Sequence, residues 1–504
     1  MPEAAPPRTD STPAKAPAKT PARAGTLTRT AGAASAGTGG RSGLVLLTVC
    51  LCQLMVTLDA SIVNIALPAM GEALGFADGA LPWVVNAYAL AFGGLLLLGG
   101  RIADLAGHRR ALLAGLVLFG LASVLGGFAR TPAQLVSARA GQGVAAAVLA
   151  PISLTLIMVT FAEGPARARA VGIWSMVTAG GSALGVLLGG LLTDLLDWRW
   201  VLFVNIPIVL VGVLLAGRSI PAVRPPRTGR LDVLGAVLGT AAMTALVYGL
   251  METDRHPWGS ARTVGTLAAA VLLGLAFLAW EARFASAPIV RLGVLRARTA
   301  WVASLVVTLI GASMLVGFYF CSLHLQNVLH YGPLAAGAAF LPFCAGTMAG
   351  SMIAGRLTAR YGSRTVLTGG LLLAGLGMLW FGGLGVDSGY LEAFVGPSVV
   401  ASVGVGICMV ANTSMGTSGV DPREAGLVSG LLNAGRQCGG SIGLAVLSTL
   451  AVAATRHASA AGDTPLAALA AGYDRAFVVT AALLGVAALI AVVFVPGRAA
   501  AARR

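Results

Sequence analysis

One carboxylate stands apart in this chain. Asp59 lies in Leu58-Asp59-Ala60-Ser61-Ile62-Val63-Asn64-Ile65-Ala66-Leu67-Pro68, inside the first long apolar run. Every other Asp or Glu reads as a loop residue or falls within about a turn of the end of such a run. At ~1.5 Å of rise per residue, Asp59 sits on the order of 14 Å from the Pro68 end of its helix. A carboxylate at that depth in hydrocarbon costs several kcal/mol unless it meets water, pairs with a cation or takes up a proton. Its chemistry is therefore either proton carriage or a structural pairing, with an arginine or with Ser61 and Asn64. Arg139 is the natural partner, roughly 8 Å into the fourth apolar run from the same side. An arginine keeps its proton, so it would tune Asp59 rather than carry charge itself. Burial disfavours the ionised acid and a paired cation favours it; residue types alone leave the balance open.

A second chemical cluster is Gly99-Gly100-Arg101-Ile102-Ala103-Asp104-Leu105-Ala106-Gly107-His108-Arg109-Arg110, between the apolar runs 83–98 and 111–129. Gly99, Gly100 and Gly107 suit a tight turn between two membrane helices. Arg101 can reach a lipid phosphate or a helix C-terminus, and Asp104 between Arg101 and Arg109 is set for charge-assisted bonds.

The elements that must position these groups follow from composition. The chain has 504 residues, 57% hydrophobic and 11% charged, with a mean hydropathy of +0.85. That is the composition of a polytopic membrane protein. The net charge of +15 would suggest nucleic acid in a soluble chain, but here the basic residues lie in short loops between apolar runs, which argues against nucleic-acid binding. Lys15 and Lys19 are the sole lysines, so no Walker A loop exists in the apolar body and ATP is excluded as its fuel. Cys50, Cys52, Cys321, Cys344, Cys408 and Cys438 all fall in apolar runs, without disulfide or zinc spacing. His256, His324, His330 and His457 read as solvated residues of outside loops, and no metal site is expected.

Residues 1–42 form a basic, Ala/Pro/Thr-rich tail expected to be disordered. Spans are then predicted near 44–68, 82–100, 111–129, 134–158, 171–193, 200–217, 233–251, 263–280, 301–323, 337–355, 366–386, 394–415, 425–453 and 476–496, fourteen in all. With that count, 26 of the 34 Lys and Arg fall on one side and six on the other, which puts both termini in the cytoplasm. Gly355–Arg364 echoes Gly100–Arg109, with Ala359 in place of the acid. The spacing divides the chain into a tail (1–42), a six-helix half (43–217), a segment with two inserted spans (218–298), a second six-helix half (299–497) and a short tail (498–504). Repeats of this kind build alternating-access carriers, with the site between the halves.

The 99–110 stretch resembles the signature loop between helices 2 and 3 of the major facilitator superfamily. The resemblance implies gating roles for Gly100, Arg101, Asp104, Gly107, Arg109 and Arg110; His108 stands where that family usually has Arg. Leu58–Pro68 resembles the first-span motif of the fourteen-helix drug:proton antiporters within the superfamily, and Arg139-Ala140-Gly141-Gln142-Gly143 their fourth-span motif. Asp197-Trp198-Arg199-Trp200 with Asn205-Ile206-Pro207, Asp232-Val233-Leu234-Gly235 and Asn433-Ala434-Gly435-Arg436-Gln437 are similar to later motifs of the same group. Gly172, Gly181, Gly185, Gly189 and Gly190 follow the antiporter glycine pattern, but Val186 replaces its proline. The resemblance implies an all-α major facilitator fold, two six-helix bundles with two inserted helices, and a proton-coupled exporter of antibiotics or other drugs. Proton coupling would rest on Asp59 and Arg139.

Asn64, Asn86, Tyr88, Gln142, Trp174, Tyr319, Gln326, Asn412 and Arg436 are polar or aromatic groups on or near apolar spans. Each alone suits helix packing; together they suit a large, mostly apolar pocket for lipophilic cargo, neutral or singly cationic. The expected partners are such a small molecule, protons and the bilayer, without a cofactor, for a monomer in a bacterial cell membrane. Two readings compete: an importer or exporter of a metabolite on the same fold, and a non-transporting membrane sensor or enzyme.

Overall fold

The computed structural model describes residues 35–77, 80–162, 164–221, 232–253, 256, 258–285, 297–383, 394–418 and 425–495; the side chains of 35–40, Asp104, Ala168, Ala179 and 425–427 lie outside the description. Residues 42–504 form one compact unit and 1–41 another. The helices are α1 (Ser35–Leu74), α2 (Trp83–Ala106), α3 (His108–Gly127), α4 (Pro132–Thr160), α5 (Pro165–Leu195), α6 (Trp200–Phe203), α7 (Asn205–Ser219), α8 (Val233–Glu252), α9 (Ala261–Arg283), α10 (Arg298–Leu323), α11 (Pro333–Ala339), α12 (Leu341–Tyr361), α13 (Ser363–Phe381), α14 (Gly396–Gly416), α15 (Ala425–Ala460) and α16 (Pro465–Phe494). Among the described residues fourteen helical stretches are long and apolar enough to cross a membrane, with α6–α7 and α11–α12 each forming one.

Local signals explain the ends. Thr131 and Thr464 cap α4 and α16 by accepting from Gln134 N and Ala467 N, each with proline in the first turn. The Thr464-Pro465 cap starts the last helix eleven residues before the expected span. Asp474 consequently lies inside α16, partly buried, with Oδ1 unpartnered, so Asp59 is not the one acid within a helix. At the front, α1 reaches back to Ser35, into the segment expected to be disordered.

The two similar turns have one geometry. Gly107 alone separates α2 from α3, with φ +86 and ψ 135; Gly362 alone separates α12 from α13, with φ +84 and ψ 152. That backbone region is essentially reserved for glycine. The expected ten-residue loop is thus a single residue, and Gly99, Gly100, Arg101 and Asp104 belong to α2. Gly99 is a packing residue there, because a Cβ would strike the α4 backbone at Ala147. The internal echo is structural as well as sequential. Inserted helices α8 and α9 pack on each other, and α8 also contacts α2 and α15.

The end of the bundle away from Gly107 and Gly362, called here the far end, is closed across α1 and α10. Pro68 within α1 has no N–H to give the carbonyl four residues back, at Asn64. Ser322 Oγ, at the end of α10, donates to that freed carbonyl at 2.8 Å. Gln326, in a short π-helical turn at His324–Val328, donates to Ile65 O at 3.0 Å. Beside them α5 meets α11, where Gly190 abuts Pro333 and Gly337 abuts the Val186 carbonyl.

Gly107→Ala and Gly362→Ala should each destabilise the protein by about 1–3 kcal/mol through backbone strain, whereas Gly172→Ala, where an added Cβ meets nothing within 4 Å, should leave it unchanged. Thermal unfolding of the purified variants in one detergent measures the difference.

Candidate functional site

Four helices converge on Asp59. The carboxylate is 0% exposed, and Arg139 on α4 is 1% exposed beside it. Arg139 Nη1 donates to Asp59 Oδ2 at 2.6 Å and to Gln142 Oε1 at 2.7 Å, while Nε donates to Val84 O of α2 at 3.2 Å. Gln142 Nε2 donates to Asp59 Oδ1 at 2.9 Å and to Ser123 Oγ of α3 at 2.9 Å. Asn205 Nδ2, at the start of α7, donates to the same Oδ1 at 2.8 Å. Ser123 Oγ donates in turn to Phe119 O at 2.8 Å. Tyr88 of α2 covers the guanidinium, 4.5 Å from ring centroid to Cζ, and its hydroxyl donates to Val56 O at 3.4 Å.

Spacing on α4 explains part of this. Arg139 and Gln142 are three residues apart, so they share one face, and the small residues between and after them let α2 approach. A Cβ at Gly143 would meet the α2 backbone at Tyr88 and Phe92. On the other side of α1, Gly181, Gly185 and Gly189 of α5 form a four-residue repeat against Thr57, Leu58, Ser61 and Ile62. A Cβ at Gly189 would lie 2.6 Å from Ile62 O. This seam fixes the turn of α1 that carries Asp59. Helix α5 runs unbroken across Val186, so the residue in place of the proline leaves the helix without a break, and Gly172 packs on nothing.

The Asp59–Arg139 pairing expected from depth is formed. Gln142, expected in a cargo pocket, belongs instead to the carboxylate cage, and Tyr88 roofs it. Asn86 Nδ2 meets Met251 Sδ of α8 at 3.6 Å, a contact to an inserted helix rather than a pocket wall. Asn412 Nδ2 donates to Ala303 O at 3.0 Å, tying α14 to α10, and Asn64 Nδ2 returns to Ala60 O at 2.9 Å. Tyr319 stacks edge-on against Phe320 in the core, and Gln326 closes the far end. Trp174 is partly buried with Nε1 unpartnered, and Arg436 is partly exposed. At the Gly107 turn, Arg109 Nη2 donates to Gly217 O at 2.9 Å near the C-terminus of α7, the dipole partner anticipated for Arg101. Arg101 and Arg110 are exposed, and the side chain of Asp104 lies outside the described residues.

Other motifs prove architectural. Asp232 Oδ1 caps α8 through Gly235 N at 2.8 Å and also accepts from Trp280 Nε1 of α9 at 2.7 Å. Arg199 stacks over Trp198 at 4.5 Å. His324, read as a solvated loop residue, is 5% exposed and faces Tyr473. Two cage members were missed: Asn205, whose motif was read as a span entrance, and Ser123, an isolated hydroxyl in an apolar run. A polar residue opening the run after Trp200 was the one available signal for Asn205.

The family model of the Major Facilitator Superfamily matches residues 49–444 and 322–504. The chain belongs to that superfamily of membrane transporters. It is 42% identical over 436 residues to the cephamycin export protein CmcT of Amycolatopsis lactamdurans, covering 86% of this chain and 88% of the relative. It is 40% identical over 467 residues to the puromycin resistance protein pur8 of Streptomyces alboniger, covering 91% and 92%. Among solved structures, a bacterial homologue of the human lysosomal transporter Spinster, inward-facing and occupied, superposes with a TM-score of 0.65 at 18% identity, covering 89% and 96% of the two chains; that likeness speaks to fold alone.

Removing one member of the cage leaves its partner charged and unmet. Arg139→Leu should therefore destabilise the protein by about 3–5 kcal/mol, and adding Asp59→Asn should restore most of that loss. Unfolding of the single and double variants in detergent reads the coupling, and independent, additive losses would contradict the cage.

Proposed function

We propose that the protein exports lipophilic small molecules, antibiotics among them, in exchange for protons, by alternating access of two six-helix halves, and so confers resistance. The observation that carries this reading is the Asp59 cage: an ionisable acid, wholly buried, held by Arg139, Gln142 and Asn205 from two other helices. Both carboxylate oxygens are engaged by donors from other helices, so any movement of those helices changes what holds the acid. Asp59 lies five residues before Asn64, whose carbonyl is held by Ser322 when the far end is closed. Opening that end tilts the segment of α1 that bears the acid, which is how proton uptake and gating come to share one helix. The names of the relatives, a cephamycin export protein and a puromycin resistance protein, support export as the direction of transport.

In this reading both termini are cytoplasmic, following the basic residues, and the closed far end faces outside. Gly107, Arg109 and the Arg101 end of α2 are the gate elements at the cytoplasmic side. Each chain carries a complete site, so the working unit is a monomer. We read it as a carrier and not an enzyme.

Inverted membrane vesicles energised to an acid interior should accumulate drug when they contain the protein and lose it on collapse of the gradient. Asp59→Asn should reduce accumulation to the level of vesicles without the protein while preserving insertion, and a susceptibility panel in a pump-deficient host should show the same loss. Undiminished resistance with Asp59→Asn would remove the acid from the mechanism; drug loss rather than gain in energised vesicles would point to an importer.

A further inference from the structure

Both carboxylate oxygens of Asp59 already accept from the cage, and among the described residues Arg436 stands in the bundle without a carboxylate of its own. It lies eleven residues after the start of α15, about 16 Å along its axis. Its Nη2 donates to Asn433 Oδ1 at 2.7 Å. Among the described residues no carboxylate lies within ion-pair distance of it; the ion pairs there are Arg139–Asp59, Arg199–Asp197 and the Glu252 contacts of His256 and Arg262. An arginine keeps its charge under all working conditions. Within a membrane span such a group is rare, and it ordinarily faces the protein interior, a partner or a water-filled path.

The packing around it places it on the interior. Helix α15 presses against α2 where Gly93 meets Ala434 O, Gln437 and Cys438, and against α10 where Gly311 meets the Arg436 backbone. Tyr88, 3% exposed and lying over Arg139, is on the same α2 that α15 packs against, so α15 brings Arg436 up to the helix that roofs the cage. Asp59 and Arg139 pair with each other, which leaves Arg436 a cation with no carboxylate beside it among the described residues. The expectation of a neutral or singly cationic cargo assumed that the charge of Asp59 was free to attract it; here three donors have already taken it.

We propose that Arg436, with Asn433 beside it, is an anion-binding subsite on the transport path, which receives the carboxylate or sulfonate of a lipophilic substrate. A guanidinium offers planar, paired N–H groups that match such an anion. Outward movement of an anion is also assisted by a cytoplasm that is electrically negative. The inference rests on the carrier reading, because it names the cargo of that site.

The test is binding by the full-length protein in phosphatidylcholine nanodiscs, read by fluorescence with empty nanodiscs subtracted. The probes are 8-anilino-1-naphthalenesulfonate and N-phenyl-1-naphthylamine, which share a scaffold and differ by the sulfonate. Arg436→Gln should weaken the sulfonate by on the order of tenfold and leave the neutral amine within about twofold, while Arg436→Lys, which keeps the charge and loses the paired N–H groups, should fall between the native protein and Arg436→Gln. Adding phosphatidylglycerol identifies the occupant: competition in the native protein, absent in Arg436→Gln, shows that a lipid headgroup reaches the same subsite. Equal loss of both probes, or undiminished sulfonate binding in Arg436→Gln, would overturn the proposal. Sulfonate binding through Arg436 without export in vesicles would instead leave the subsite standing and defeat the export reading.

Discussion

A buried carboxylate in a helix bundle keeps its charge only while donors surround it. In this protein the donors come from α4 and α7, with α3 behind Gln142 and α2 over Arg139. Four separate helices are therefore referenced to one residue of α1. The cost of an unmet charge, several kcal/mol per ion, gives the first half of the molecule a strong reason to hold those helices in register. The glycine seam of α5 serves the same end, since only glycines at 181, 185 and 189 allow α5 to lie against the turn bearing Asp59.

The far-end closure is built by a different route from the same helix. Proline in a helix interior removes one hydrogen bond and leaves a carbonyl without its partner. Here the loss at Pro68 becomes a contact between halves, because Ser322 supplies the missing donor. An ordinary residue at 68 would have satisfied Asn64 within α1. The acid and the freed carbonyl lie within about one and a half turns of each other on α1.

Much of this was legible in the sequence. Hydropathy alone gives the fourteen spans, because length and composition are what a bilayer demands. The echo of 100–109 at 355–364 anticipates that the two turns are alike, but not that each is a single glycine at positive φ. Asp59 and Arg139 were legible as partners because intramembrane charges seek one another. What could not be read was the sharing of polar groups among helices. Gln142, Asn86 and Asn412 look alike as polar residues in apolar runs, yet one serves the cage, one an inserted helix and one the α10–α14 contact. That assignment depends on rotation about each helix axis, which no spacing rule fixes across distant parts of the chain. The extent of the turn within 99–110 is hidden for a related reason: glycines that packing demands look like glycines that turning demands.

Exchange of drug for proton requires that Asp59 give up its proton as cargo binds. The direct measurement is proton release on drug addition, with purified protein in weakly buffered solution and a pH-sensitive dye. Release approaching about one proton per bound drug is expected, and none from Asp59→Asn. Equal release from the two proteins, or none from the native one, would contradict the exchange.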